Sequence, residues 1–195
     1  MRSSTLILLI FTIVGCNNKP NQIVYRSQNK IIPTPKEIEY LSIENSLKLP
    51  KYIKVYCSDE SLKPIANIFM EQLNVLGLEN KLSIEETTNA TISIILDDTL
   101  KTEEHQISID QSVILSGGSY KAISSAMISL LHLLEKKGND IIFPLVEIKD
   151  YPDATFRGLM IDVARRWHSI NTLKKLVDMS AFYKLNYMQL HLTDD

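Results

Sequence analysis

The sequence predicts an α+β domain, a sheet carrying two packed helices, followed by a single β-α-β unit. Two observations carry this reading. Between residues 31 and 150, short β-branched runs alternate with two stretches of helical apolar spacing. From Phe156 onward the rhythm becomes strand, helix, strand.

The chain opens on a leader. Arg2 gives a positive start, Leu6 to Val14 is an apolar run too short to cross a bilayer as a helix, and Gly15-Cys16 follows. "IVGC" resembles a bacterial lipobox, in which a signal peptidase cuts before Cys16 and a lipid is joined to its sulfur. An ordinary secretory signal and a short buried helix are the alternatives. The polar, proline-containing "NNKPNQ" suits a tether. Residues 1–15 are therefore expected to be a lipoprotein signal peptide, residues 16–30 a tether, and Cys16 the lipidation site. The expected location is the bacterial cell envelope, lipid-anchored, at the outer membrane or facing the periplasm.

Residues 31–150 make the α+β domain. "IIPTPKEIEY" sets two prolines beside short apolar stretches, as an edge strand or entry loop does. Tyr52 to Ser58 alternates as a strand. Leu62, Ile65, Ala66, Phe69, Leu73 and Leu76 follow helical spacing, with Gly77 as the stop. Ala90–Asp98, His105–Asp110 and Ser112–Gly117 read as three strands. A second helix presents Ala122, Ile123, Ala126, Met127, Leu130, Leu133 and Leu134 and is expected to end at Gly138; "IIFPLVEIKDYP" then runs extended. Gly117-Gly118 lacks the rest of a phosphate loop and reads as a tight turn. Glu85-Glu86 and Glu103-Glu104 read as solvated loop charges.

Residues 151–195 hold the β-α-β unit: Arg157–Ala164 as a strand, a helix capped by Asn171 and facing a core through Leu173, Leu176, Val177, Ser180 and Tyr183, then "YMQLHL" as a second strand. Such a unit is right-handed, its strands parallel, and alone it cannot bury both faces. Functional residues of parallel α/β architectures gather at the carboxyl ends of strands. That places Arg165 and Arg166, with Asp194 and Asp195, on one rim. In the second strand Met188, Leu190 and Leu192 form the apolar side, expected against the helix, while Tyr187, Gln189 and His191 form the polar side. Plainer readings stay open: Arg165 paired with Asp162 or a rim carboxylate, the terminal aspartates capping a helix, His191 as a core histidine, Trp167 as packing.

Composition narrows the partners. Lys and Arg total 21 against 23 Asp and Glu, with no like-charge block, so nucleic acid is not an expected partner. With Cys16 taken by lipid, Cys57 is left unpaired, which excludes an internal disulfide and a Cys-x-x-Cys metal site. No metal or organic cofactor is implied.

Three motifs, Arg-Gly-x-x-x-Asp-x-x-Arg (157–165), Lys-Leu-Asn (184–186) and His-Leu-x-Asp-Asp (191–195), together resemble the opening of the catalytic barrel of glycoside hydrolase family 20, the β-N-acetylhexosaminidases. "IIPTPKEI" and "SGGSYKAISSAMISLLHLL" resemble, less specifically, the family's accessory α+β domain. The similarity covers 31 to 195. It implies that 31–150 is the accessory domain and 151–195 the first β-α-β unit of an incomplete TIM (β/α)8 barrel. It further implies that Arg165 hydrogen-bonds hydroxyls of a terminal N-acetylhexosamine, that Asp194 supports the active site, and that Arg157, Asp162 and His191 have more structural roles. Trp167 and Arg166 depart from the family pattern and receive none.

The family's reaction uses the substrate's own acetamido group as nucleophile, with an adjacent Asp-Glu pair orienting it and protonating the leaving oxygen. No such pair can be placed here, so the catalytic acid and its partner are expected outside this chain. The resemblance therefore implies the amino-terminal part of a lipid-anchored β-N-acetylhexosaminidase acting on N-acetylhexosamine-terminated glycans, inactive alone. The alternative is a short surface lipoprotein with a glycan- or partner-binding domain and a vestigial barrel.

Overall fold

The structure, a computed structural model, describes residues 30–78, 80–87 and 89–193. The expected signal peptide, Cys16, all but the last residue of the tether, and Asp194 lie outside the described residues. In chain order the first elements are β1 (Glu37–Tyr40), β2 (Ser46–Lys48), β3 (Tyr52–Cys57), α1 (Lys63–Val75), β4 (Lys81–Glu85) and β5 (Ile92–Leu96). Then come β6 (His105–Ile109), β7 (Val113–Gly117), α2 (Tyr120–Leu133), β8 (Glu135–Lys137), β9 (Asp140–Pro144) and β10 (Val146–Asp150). The chain closes with β11 (Gly158–Asp162), α3 (Ile170–Phe182) and β12 (Tyr187–His191).

Seven strands form one mixed sheet in the order β1-β10-β6-β7-β5-β3-β4. Its β4, β3, β5 and β7 side is parallel, whereas β6, β10 and β1 join antiparallel. A period of two runs through β6, β7 and β10: Ile107, Ile109, Val113, Leu115, Val146 and Ile148 are buried while their neighbours are open. Against that face pack Ile65, Ala66, Phe69 and Leu73 of α1 and Ile123, Ala126, Met127 and Leu130 of α2. Each large side chain so enclosed contributes roughly 1.5–3 kcal/mol relative to exposure. A small sheet, β2-β9-β8, adds Ile141 and Phe143 to the same core.

Helix ends follow from local chemistry. The Ser119 hydroxyl accepts from Ala122 N–H at 3.2 Å and starts α2. After α1, Gly77 takes φ +68°, and Leu78 N–H returns to the Leu73 carbonyl at 3.1 Å, closing a Schellman turn.

Several expectations are corrected. Gly138 does not end α2: the helix stops at Leu133, Leu134 is already extended, and Gly138 (φ +64°) makes the turn between β8 and β9. Leu76 is exposed beyond the end of α1. "IIFPLVEIKD" is two strands belonging to different sheets, β9 and β10. Glu85 lies in edge strand β4, not a loop. The cap of α3 is Ser169, whose hydroxyl accepts from Thr172 N–H at 3.2 Å; Asn171 is already inside the first turn. On α3 only Ser180 is buried, whereas Val177 and the following Tyr183 are exposed. Leu190 and Leu192 are likewise exposed, because β11 and β12 form a two-stranded parallel sheet of their own and do not join the large one.

The expected tight turn at Gly117-Gly118 is instead the end of β7 at Gly117 and a bend at Gly118, where space requires the glycine. A Cβ on Gly118 would stand 2.1 Å from the Lys101 carbonyl oxygen and 2.6 Å from that of Leu100, both backbone atoms. At Gly77 a Cβ meets nothing within 4 Å and the cost is conformational alone, about 1–2 kcal/mol. Gly118→Ala is therefore expected to destabilise the protein more than Gly77→Ala, by about 1–3 kcal/mol of overpacking. Urea denaturation of the two variants measures the difference.

Candidate functional site

Parallel strands β11 and β12 give the last unit two distinct ends. At their carboxyl ends Asp162 stands opposite His191. The His191 carbonyl accepts from both Val163 N–H (3.0 Å) and Ala164 N–H (3.2 Å), folding the chain over the strand end. Asp162 Oδ1 then accepts from Arg165 N–H at 3.0 Å, fixing the backbone that presents Arg165. Arg165 and Arg166 are exposed on this rim, His191 is half-buried, and Trp167 is 81% exposed. Asp194 and Asp195, also assigned to the rim, lie outside the described residues.

At the amino ends of the same strands sits a cluster that sequence reasoning missed. Asp150, the last residue of β10, is buried. Its Oδ1 accepts from Tyr151 N–H (2.9 Å) and Lys36 N–H (3.3 Å), and its Oδ2 from Lys184 Nζ (3.2 Å). His105 is its cross-strand partner on β6, with Nε2 3.6 Å from Oδ2. Neither ring nitrogen of His105 makes a hydrogen bond of normal geometry, although the Glu103 carbonyl lies beside it. Burial, opposed by the Asp150 charge, holds His105 at about 4, so the ring is neutral at pH 7. Burial also lowers the Lys184 ammonium, and Asp150 partly offsets it.

Lys184 reaches Asp150 from an unusual backbone. It ends α3 with φ +58°, and Leu185 N–H bonds the Ser180 carbonyl at 2.9 Å. This is the left-handed position that glycine normally fills, at a cost on the order of 1 kcal/mol for another residue. Arg157 completes the arrangement by donating from Nε to the Lys184 carbonyl (3.0 Å), from one terminal nitrogen to the Ala154 carbonyl (2.5 Å), and from the other to Glu103 (3.3 Å). Glu103 is thus an ion-pair partner with its side chain 20% exposed, not a solvated loop charge. Asn186 accepts from Arg157 N–H at 3.0 Å and donates to the Thr155 carbonyl at 2.8 Å. Together these contacts clamp the linker and the α3–β12 turn to the large sheet. A second contact lies alongside, where His132 of α2 accepts from Ile32 N–H and meets the Phe182 ring edge-on at 4.3 Å between centroids.

A signal for the cluster existed. His105 and Asp150 occupy the buried phase of β6 and β10, in line with Ile107, Ile109, Val146 and Ile148. A polar residue in the core phase needs a partner. Among the described residues no group of three or more His, Cys, Asp or Glu is placed to hold a metal.

Two expectations follow. His105 is protonated near 6.5 when unfolded but only near 4 when folded, so its contribution to stability is complete above pH 6.5 and is lost as pH falls toward 4. The slope in that window approaches 1.4 kcal/mol per pH unit, and chemical denaturation of His105→Gln across it should show that slope reduced. Lys184→Met leaves Asp150 buried without its ammonium and should cost about 3 kcal/mol, a loss that Asp150→Asn in the same chain should partly recover in a double-mutant cycle.

Comparisons with known proteins bear on this geometry. The profile described as glycosyl hydrolase family 20, domain 2, matches residues 28–151, and that described as the family's catalytic domain matches 155–195. A beta-hexosaminidase of Porphyromonas gingivalis is 31% identical over 97% of this chain, and one of Vibrio furnissii is 30% identical over 85%. Each alignment covers 26% of the relative, so the chain spans about a quarter of the length of these curated relatives. Among solved structures, the Vibrio harveyi exo-β-N-acetylglucosaminidase in complex with N-acetylglucosamine matches with a TM-score of 0.78 at 25% identity, over 85% of this chain and 26% of that one. The β-N-acetylhexosaminidase of Bacteroides fragilis matches with 0.73 at 28% identity, over 83% and 33%. The domain 2 match alone takes in well over half of the sequence, and with the catalytic-domain match beginning four residues later the chain belongs to glycosyl hydrolase family 20.

Proposed function

We propose that this chain is part of a β-N-acetylhexosaminidase that removes terminal N-acetylhexosamine from glycans by retaining, substrate-assisted hydrolysis. Residues 31–150 act as the accessory domain, and 151–195 open a (β/α)8 barrel. The observation that carries the reading is the rim: the Arg-Gly-x-x-x-Asp-x-x-Arg motif lies along β11, so that Arg165 is presented at the carboxyl ends of two parallel strands. The relatives' name and the N-acetylglucosamine held by the Vibrio harveyi enzyme support the substrate class.

In this reading the guanidinium of Arg165 donates to neighbouring sugar hydroxyls, a geometry its planar fork suits. Asp194 supports the same site. The acetamido oxygen of the substrate attacks the anomeric carbon while an acid protonates the leaving oxygen, and a carboxylate orients the acetamido group. That acid and carboxylate come from barrel sequence outside these 195 residues. Cys16 is the lipid-bearing residue of a 1–15 signal peptide and a 16–30 tether, which holds the enzyme on the cell envelope.

In an assay with an aryl N-acetylglucosaminide, the purified 195-residue chain should give no turnover; hydrolysis by it would overturn the placement of the acid. In a polypeptide carrying the whole barrel, Arg165→Ala should lower kcat/KM by about 10²-fold, the loss of one or two charge-assisted hydrogen bonds. An unchanged KM would remove the role given to Arg165. Cys16→Ala should shift the protein from the membrane to the soluble fraction of the cell.

A further inference from the structure

Two of the four histidines in the sequence stand at one seam, between the large sheet with its helices and the β11-α3-β12 unit. His105 reaches the seam from β6. Its Nε2 is 3.6 Å from Asp150 Oδ2, the same oxygen that accepts from Lys184 Nζ at 3.2 Å. His105 and Asp150 both belong to the large sheet, whereas Lys184 belongs to the last unit, so one oxygen serves a contact within the sheet and the bond across the seam. His132 reaches it from α2. Its Nδ1 accepts from Ile32 N–H at 3.3 Å, which requires an unprotonated nitrogen, and its ring meets Phe182 of α3 edge-on. The rings are 1% and 7% exposed, and each makes these contacts as a neutral imidazole.

Protonation would undo both contacts. A charged His105 competes with Lys184 for Oδ2 and sets two cations against one carboxylate out of water. A charged His132 can no longer accept from Ile32 and faces the Lys184 ammonium. The closed seam therefore resists protons. Burial holds His105 at about 4, opposed by Asp150 and the Glu103 carbonyl and helped by Lys184. Burial, then Lys184, also lowers His132, against the Phe182 carbonyl. The remaining charges nearby are paired: Lys36 with Asp153 and Arg157 with Glu103 around His105, and Lys30 with Glu135 beyond the end of α2. Opening the seam returns both rings to water, where each titrates near 6.5. Below that pH the opening constant rises by up to about tenfold per pH unit for each histidine that the closed form keeps neutral.

The two sides of the seam can part without unfolding the larger one. The buried core of the sheet domain runs from Ile31 to Ile148 and takes in no residue of the last unit. β11 and β12 pair only with each other among the described residues. We propose that the seam is an acid-sensitive latch: charging of His105 and His132 releases Lys184 and α3, and the β11-α3-β12 unit separates from a sheet domain that stays folded.

Amide hydrogen exchange of the 195-residue chain between pH 7 and 4.5, resolved by peptide mass spectrometry and corrected for the intrinsic pH dependence of exchange, tests this. Across that range the protection of α3 and β12 should fall at least tenfold further than that of β6, β7 and α2. Glutamine keeps a neutral polar side chain at either position, so His105→Gln with His132→Gln should flatten the difference. Where that pair of substitutions prevents folding, His132→Gln alone should remove about half of the slope. Loss of protection in both parts together, or a difference that these variants leave unchanged, would overturn the latch. The result does not depend on whether the chain takes part in hydrolysis.

Discussion

A carboxylate taken out of water has to be compensated from several directions at once, and the groups that compensate Asp150 come from three separate parts of the chain. Two backbone N–H groups, of Lys36 and Tyr151, come from the strand ends beside it. Its counter-charge comes from Lys184, beyond the end of α3. Desolvating both members of such a pair is expensive, and the attraction recovers that cost only when the geometry is fixed. This accounts for a lysine in the left-handed position, where glycine would cost less: the side chain is needed where the backbone turns. Arg157 then holds the Lys184 carbonyl while pairing with Glu103, so the linker and the turn before β12 are set by one network.

The elements that could be read from the sequence are those with a single buried face. In α1 the residues Ile65, Ala66, Phe69 and Leu73, and in β6 and β7 the alternate positions, point to the same core, and burial preserves the period that hydropathy shows. Where that condition fails, so does the reading. β4 is an edge strand with no residue fully buried, and β8 is exposed throughout. β9 and β10 run on as one apolar segment because each serves a different sheet on either side of Pro144-Leu145, a division that tertiary packing alone decides. The glycine at 138 looked like a helix stop because a left-handed glycine serves a hairpin turn equally well.

The two ends of the last unit were legible to different degrees for a similar reason. Arg165 lies in a dense local motif, and the geometry around it is local too: Asp162 bonds a backbone group three residues away. Gly158, in the same motif, stands where a Cβ would come within 2.7 Å of the Phe156 ring, which stacks on Tyr187. The clamp is built from long-range partners. Glu103 and Arg157 are 54 residues apart, and Asp150 and Lys184 are 34 apart. Nothing in the neighbourhood of Glu103 marks it as a partner, whereas His105 and Asp150 did carry a mark, as polar residues in an apolar phase.

Strand polarity ties these findings together. In a parallel pair both amino ends lie on one side, so a clamp that grips the residues before β11 and β12 necessarily works at the side opposite the rim. Phe156, Arg157, Lys184 and Asn186 flank those amino ends, and Arg165 follows a carboxyl end. The intervening strands are short and hydrogen-bonded to each other along five paired positions, from Gly158 with Tyr187 to Asp162 with His191. The large sheet therefore contributes placement: it fixes where two strands start, and the pairing between them carries that position to where Arg165 is presented. Because β11 and β12 pair with no strand of the large sheet among the described residues, the tie rests on side chains, among them the buried charges of Asp150 and Lys184 and the Arg157–Glu103 pair.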